Sequence, residues 1–76
     1  MTRQNFIQTH EAEICKLSNL LREQDVDLGI AQSIFVNAAM LGRIPDGDEA
    51  QVRAALATLG GADYWAALAK EYAGVE

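Results

Sequence analysis

The sequence predicts an all-α fold, a compact four-helix domain with short connections. Apolar residues recur at three- and four-residue spacing along most of the chain, which is the pattern of amphipathic helices. Gly, Pro and Asp residues separate the four stretches, and no stretch alternates as a strand does. The chain of 76 residues is long enough for one domain. We therefore expect a single helical domain over residues 1–76, with helices at about 3–24, 28–41, 48–59 and 63–73.

The first predicted helix, residues 3–24, carries a continuous apolar stripe. Thr2 or Asn5 is a suitable N-cap because a short polar side chain accepts a hydrogen bond from the first helical turn. We expect the stripe to lie in the core along the whole length of this helix. It consists of Ile7, His10, Ile14, Leu17 and Leu21, widened by Phe6 and Leu20.

The second predicted helix, residues 28–41, is the most apolar part of the chain. Between Ile30 and Leu41 only Gln32, Ser33 and Asn37 are polar. Helices that are apolar around most of their circumference are usually central and buried. We therefore expect this helix to be the core element and Asn37 to be a core amide. The alternative for Asn37 is a polar contact that sets the register of a dimer or partner interface.

Turn and capping residues mark the ends of the later helices. Asp27 is a favourable N-cap for the second helix, Gly42 fits a left-handed C-terminal cap, and Pro45 prevents continuation. The third helix, residues 48–59, begins near two pairs with capping-box spacing. These pairs are Asp46 with Glu49, and Asp48 with Gln51.

The last predicted helix, residues 63–73, contains three of the chain's five aromatic residues. Trp65 and Tyr72 lie on its apolar face and are expected to close the core. Trp and Tyr also dominate binding hot spots, so an interface role is the alternative. We predict that Trp65 points inward and that Tyr64 and Tyr72 form an aromatic edge available to a partner.

Acidic residues are clustered along the chain. Six of the eleven Asp and Glu residues lie within residues 23–27 and 46–49. Capping and helix-dipole effects favour carboxylates at helix N-termini. They explain Asp27, Asp63 and one of Asp46 and Asp48.

Glu23 and Asp25 are left without such an explanation. They fall at the C-terminal end of the first predicted helix, where a negative charge is unfavourable. We predict that they contact a partner. If the helices run up and down, one end of the bundle carries an acidic pole, which consists of Glu23, Asp25, Asp27 and Asp63.

The net charge of −5 makes direct nucleic-acid binding unfavourable. The six Lys and Arg residues are spread along the chain and form no stripe. A helix-turn-helix regulator is a less favoured alternative, because the connection over residues 42–49 is longer and more acidic than the usual turn. An acidic surface instead suits another protein with a basic surface.

The single cysteine excludes an internal disulfide, and no segment has the apolar length of a membrane span. The N-terminal residues lack the apolar core of a signal peptide. We therefore expect a cytoplasmic protein, in its own cell or in an infected host cell, with no membrane partner.

Catalysis and cofactor binding have little support in the sequence. His10 is the only histidine, and Cys15 lies about 140° away around the same helix, so the two do not form a local dyad. We expect His10 at the edge of the core and Cys15 as a small residue flanking the apolar face. One His and one Cys are too few for a zinc site of the usual Cys and His ligands. We predict no metal, no cofactor and no enzymatic activity.

The function expected from these observations is a small acidic protein-interaction module. One concrete form is an inhibitor or antitoxin-like factor that blocks a basic, nucleic-acid-binding surface on a target, in the style of anti-CRISPR and other phage counter-defence proteins. The main alternative is a homo-oligomeric structural or assembly subunit, with a homodimer through the apolar second helix or the aromatic last helix. A small chain rich in Ala buries little area, which favours such association.

Overall fold

The structure, a computed structural model, describes residues 1–47 and 49–75. In this part of the chain every regular element is helical, which confirms the all-α class. The elements are α1 (Arg3–Thr9), α2 (Glu11–Leu20), a 3-10 helix (Arg22–Gln24), α3 (Leu28–Leu41), α4 (Ala50–Leu59) and α5 (Ala62–Tyr72).

The predicted count of four helices is wrong, because the first segment bends at His10 and again after Leu20. His10 has φ −108° and ψ 23°, outside the helical region, and separates α1 from α2. An unbroken helix over residues 3–24 would be about 33 Å long, which equals the longest dimension of the molecule, 33 Å. The bend instead turns α1 toward α5, where the rings of Phe6 and Tyr72 meet edge-on with centroids 5.0 Å apart.

Helix α3 lies at the centre, packed against α2 and α5, while α4 packs against α2. We call the buried side of α3 its inner face; it consists of Ala31, Phe35, Val36, Ala38 and Ala39. Phe35 is its only large aromatic side chain, and its ring lies close to the rings of three residues from other parts of the chain. These are Phe6 at 6.3 Å, His10 at 5.6 Å and Trp65 at 5.4 Å between centroids.

The apolar stripe predicted for the first segment is buried despite the bend. Its aliphatic members join Phe6, Trp65 and the inner face of α3 in one core cluster. Leu20 is the exception, since 44% of it is exposed. It lines a groove that α2 shares with α4 instead of facing α3. The buried aliphatic members are Ile7, Ile14, Leu17 and Leu21.

Capping chemistry sets several helix ends. The hydroxyl of Thr2 accepts a hydrogen bond from the Asn5 amide at 3.1 Å, and the carboxylate of Asp27 accepts one from the Ile30 amide at 2.9 Å. Gly42 ends α3 with φ 69°, as a left-handed cap requires. Helix α3 therefore spans Leu28–Leu41, the range that the sequence predicts.

The predicted caps of α4 and α5 differ from those observed. Glu49 precedes α4 without a side-chain cap bond, and the Asp46 carboxylate pairs with Arg43 instead. Asp63 lies in the first turn of α5, and Gly61 holds the N-cap position. The alternative cap at Asp48 lies outside the described residues.

Helix α3 is the central element that the sequence predicts, but the expectation that it is buried is wrong for one of its sides. One side, which we call the outer face, is open to solvent because no other helix covers it. It consists of Ile30, Ser33, Ile34, Asn37, Met40 and Leu41, all exposed except the partly buried Ile34. Asn37 is therefore a surface residue, and its expected role as a core amide is also wrong.

Candidate functional site

Three acidic residues lie together where the chain passes from α2 to α3. We call Glu23, Asp25 and Asp27 the acidic corner; all three are exposed. Val26, between two of them, packs against the core, and its carbonyl accepts a hydrogen bond from the Ser18 hydroxyl at 3.3 Å. Because Val26 is anchored inward, the segment is held in place while the carboxylates on either side remain in solvent.

Local geometry explains two of the three residue types. Asp25 has φ 57° and ψ 33°, the left-handed conformation that Asp tolerates better than most residues. Asp27 is the N-cap of α3. Glu23 has no such local requirement, since it lies within the 3-10 helix and makes no hydrogen bond or ion pair with its side chain in residues 1–47 and 49–75.

Glu23 also lines a shallow groove between the end of α2 and α4. The groove has a volume of about 320 Å³. Its walls combine apolar side chains with the polar ends of Gln, Thr and Glu residues. A long basic side chain fits this chemistry, because its methylene stem packs on apolar surface while its charged end reaches a carboxylate. The lining residues are Leu20, Glu23, Gln24, Gln51, Ala54, Ala55 and Thr58.

Asp63 is exposed in the first turn of α5. No hydrogen bond or ion pair in the described part of the chain connects it to the acidic corner. Its membership of one acidic pole with Glu23, Asp25 and Asp27 therefore stays a prediction.

Basic side chains neutralise few of the carboxylates. Within residues 1–47 and 49–75 the ion pairs are His10 with Glu71, at 2.9 Å, and Arg43 with Asp46, at 3.1 Å. The acidic corner takes part in neither pair. Its charges therefore face solvent directly, where a partner's charges would meet them.

The predicted aromatic edge is partly turned inward. The ring of Tyr64 packs edge-on against Trp65, with centroids 5.1 Å apart, and the Tyr64 hydroxyl is buried without a hydrogen bond within the described residues. Burial, reinforced by the negative charges of Glu13 and Glu71, raises the pKa of Tyr64 from 10.0 to about 12. A role of Tyr64 and Tyr72 at a partner interface stays a prediction.

The sequence did not reveal the partner of His10. Its Nε2 lies 2.9 Å from the Glu71 carboxylate, 61 residues further along the chain, and the two side chains are 13% and 33% exposed. His10 also contacts Phe6 and Phe35, with ring centroids 4.8 and 5.6 Å away. Such a contact joins chain segments that only the tertiary fold brings together. Cys15, expected at the flank of the apolar face, is exposed.

The outer face of α3 is a second exposed surface, and sequence reasoning did not identify which side of this helix is exposed. Its groove, of about 300 Å³, is lined by Ile34, Asn37, Met40, Leu41 and Pro45. One signal was available in the sequence: Ser33 and Asn37 are four residues apart, so they lie on the same side of the helix. These two polar residues mark the side of α3 that faces solvent.

The described residues hold no group of three or more His, Cys, Asp or Glu side chains arranged to bind a metal ion. Within residues 1–47 and 49–75, no helix combines the length and apolar character needed to cross a membrane. Comparison of the chain with protein-family models, curated proteins and solved structures finds no match.

Proposed function

We propose that the protein is a non-enzymatic interaction module that binds a basic surface of another protein through its acidic corner. The observation that supports the proposal is the arrangement of Glu23, Asp25 and Asp27, which are exposed, unpaired in the described part of the chain and held by the anchored Val26. Carboxylates on a rigid segment meet a basic partner without first giving up an internal salt bridge.

The groove beside Glu23 supports a defined mode of contact. A Lys or Arg of the partner would lay its stem along Leu20 and Ala54 and place its charge next to the Glu23 carboxylate. A target that uses such residues to bind nucleic acid would be blocked at that surface. This is the inhibitor or antitoxin-like form of the proposal.

The test is affinity capture from the native host followed by mass spectrometry, with amide substitutions at the acidic corner. Glu23→Gln, Asp25→Asn and Asp27→Asn remove three charges while keeping side-chain size. Asn also suits the left-handed position 25 and the N-cap position 27. Exposed ion pairs contribute up to about 1 kcal/mol each, so we expect the triple variant to bind its captured partner about tenfold more weakly.

A matched control removes the same charge elsewhere. Glu11→Gln, Asp46→Asn and Glu49→Gln are changes at exposed residues outside the acidic corner, and this variant should bind as the wild type does. Raising the salt concentration should weaken wild-type binding, because screening shortens the range of exposed charges. Equal losses in both triple variants, or binding that resists salt, would contradict the proposal.

A further inference from the structure

The outer face of α3 combines exposed apolar side chains with an absence of charge. Leu28, Ile30, Met40 and Leu41 are between 48% and 56% exposed, and they are four of the six large hydrophobic residues exposed among those that the structure describes. Leu28 lies at the start of α3, while the other three belong to the outer face. The sequence has no charged residue between Asp27 and Arg43.

We propose that this face binds the same face of a second copy of the chain, with the two α3 helices antiparallel about a two-fold axis at Asn37. At 100° per residue, Asn37 lies opposite the centre of the inner face and in the middle of the outer one. Residues on both sides of it are apolar. An amide carries both a donor and an acceptor, so two Asn37 side chains on a two-fold axis satisfy each other.

The charges at the two ends of α3 favour the antiparallel arrangement. With the axis at Asn37, Asp27 lies about 15 Å from it along the helix, and α3 ends about 6 Å away on the other side, just before Gly42 and Arg43. In an antiparallel pair, the end of α3 that carries Arg43, which pairs with Asp46 of its own chain, thus lies beside the end of the other copy that carries Asp27. A parallel pair would instead place like charges side by side, which is unfavourable.

Charge also favours a second copy over a basic partner at this face. A basic protein finds no carboxylate on the outer face, whereas the acidic corner offers three. Two copies, each with a net charge of −5, repel one another when carboxylate-bearing surfaces meet. An uncharged apolar face is where that repulsion is smallest, and the cores of homodimer interfaces are depleted in charge.

The area of the face sets the strength expected of the dimer. Half-exposed side chains on one helix provide roughly 400 Å² per copy, the size of a large patch on a monomer. A standard interface buries about 800 Å² per partner, so we expect a weak, concentration-dependent dimer. Self-association goes beyond the proposed function, and it has a separate readout. Failure of the proposed function would therefore leave this test unaffected, because self-association is measured on the purified protein alone.

Sedimentation equilibrium of the wild type tests the association. We expect the average mass to rise from that of the monomer, 8.3 kDa, toward twice that value between about 10 µM and about 1 mM. Leu41→Glu places a charge on the outer face and should weaken association at least tenfold. Leu20→Glu makes the same change at an exposed leucine of α2 and should leave association unchanged.

Opposite charges at position 37 test the two-fold axis. Asn37→Asp alone and Asn37→Lys alone bring like charges together on the axis, so each should associate at least tenfold more weakly than the wild type. An equimolar mixture of the two should recover association, because unlike charges then meet. Circular dichroism and the urea midpoint, measured on every variant, show that the fold is kept.

Three results would overturn the proposal. The first is a wild type that stays monomeric at 1 mM, which would leave the outer face to a different protein. The second is equal behaviour of Leu41→Glu and Leu20→Glu. The third is association of Asn37→Asp or Asn37→Lys alone that matches the wild type.

Discussion

The inner and outer faces of α3 have similar hydrophobic character but different surroundings. The inner face is built mainly from Ala, with Phe35 as its one large side chain, and it is fully covered by α2 and α5. The outer face carries the longer aliphatic residues Ile30, Met40 and Leu41 and is exposed. Apart from Phe35, the larger apolar side chains of this helix therefore lie on the outside.

Side-chain size explains this inversion. Small residues allow neighbouring helices to approach closely, and the aromatic rings of α1 and α5 then fill the remaining space around Phe35. Longer side chains at the same positions would hold those helices apart. A hydrophobic helix thus places toward the core the face that fits its neighbours, which is not always its more hydrophobic face.

The largest expected effect is the loss of Phe35. Phe35→Ala should reduce the free energy of unfolding by about 3–5 kcal/mol, because it removes a fully buried ring and leaves a cavity. A domain of this size has roughly 4–11 kcal/mol in total, so the variant should be close to unfolding. Leu41→Ala should change the free energy of unfolding by at most about 0.5 kcal/mol when the protein concentration is low micromolar. Urea denaturation measures both, and similar losses would remove the distinction between the faces.

The close packing of α3 against α5 at the end of the inner face can be tested at Gly42. Gly42→Ala should cost about 1–2 kcal/mol, because φ is 69° and the added Cβ would lie 3.0 Å from the Cβ of Ala69. Gly47→Ala is the control, since its Cβ would meet no atom of the described residues within 4 Å. Thermal and urea unfolding measure the difference. If both changes were neutral, α3 and α5 would not be closely packed there.

The polar contact between His10 and Glu71 should contribute less to the free energy of unfolding. A double-mutant cycle on His10 and Glu71 should give a coupling of about 0.5–1 kcal/mol, because both side chains are partly buried. The same cycle on Arg43 and Asp46, which are mostly exposed, should give a smaller value. Equal coupling energies in the two cycles would show that burial does not strengthen the contact between His10 and Glu71.

The smallest expected effect at neutral pH is that of Tyr64→Phe. It removes a buried hydroxyl without a partner in the described residues, so stability should rise by at most about 0.5 kcal/mol. The folded state raises the pKa of Tyr64 from 10.0 to about 12. The part of the stability that depends on a protonated Tyr64 is therefore complete below pH 10, and it is lost as the pH rises to about 12.

The pH dependence of urea unfolding between pH 8 and pH 12 checks this sign. The wild type should lose stability above pH 10, and Tyr64→Phe should lack that part of the loss. Tyr72→Phe keeps the Tyr64 phenol and should follow the wild type. A Tyr64→Phe curve parallel to that of the wild type would contradict the assignment.

Local chemistry accounts for what could be predicted. Asp27, Gly42 and the apolar run between them define α3 to the residue, because capping bonds and backbone preference act over a few positions. The break at His10 was not predictable in that way. It depends on contacts with Phe35 and Glu71, which lie 25 and 61 residues further along the chain.

The candidate site, like the fold, could be predicted only in part from the sequence. Sequence reasoning identified Glu23, Asp25 and Asp27 because their charge is unusual for their positions. It did not identify the left-handed backbone at Asp25 or the groove beside Glu23, which require coordinates of α2 and α4. It also placed Asn37 in the core, because it did not use the four-residue spacing of Ser33 and Asn37, which puts both on one side of the helix.

The sequence by itself determined the helical class, the extent of α3, its caps and the acidic balance of the chain. These properties follow from periodicity, local hydrogen bonding and charge, which act between near neighbours. Only the tertiary structure decided where the first helix breaks, which partner His10 takes and which face of α3 is covered. Those outcomes depend on the shapes of side chains from distant segments, because a core selects the faces that pack together.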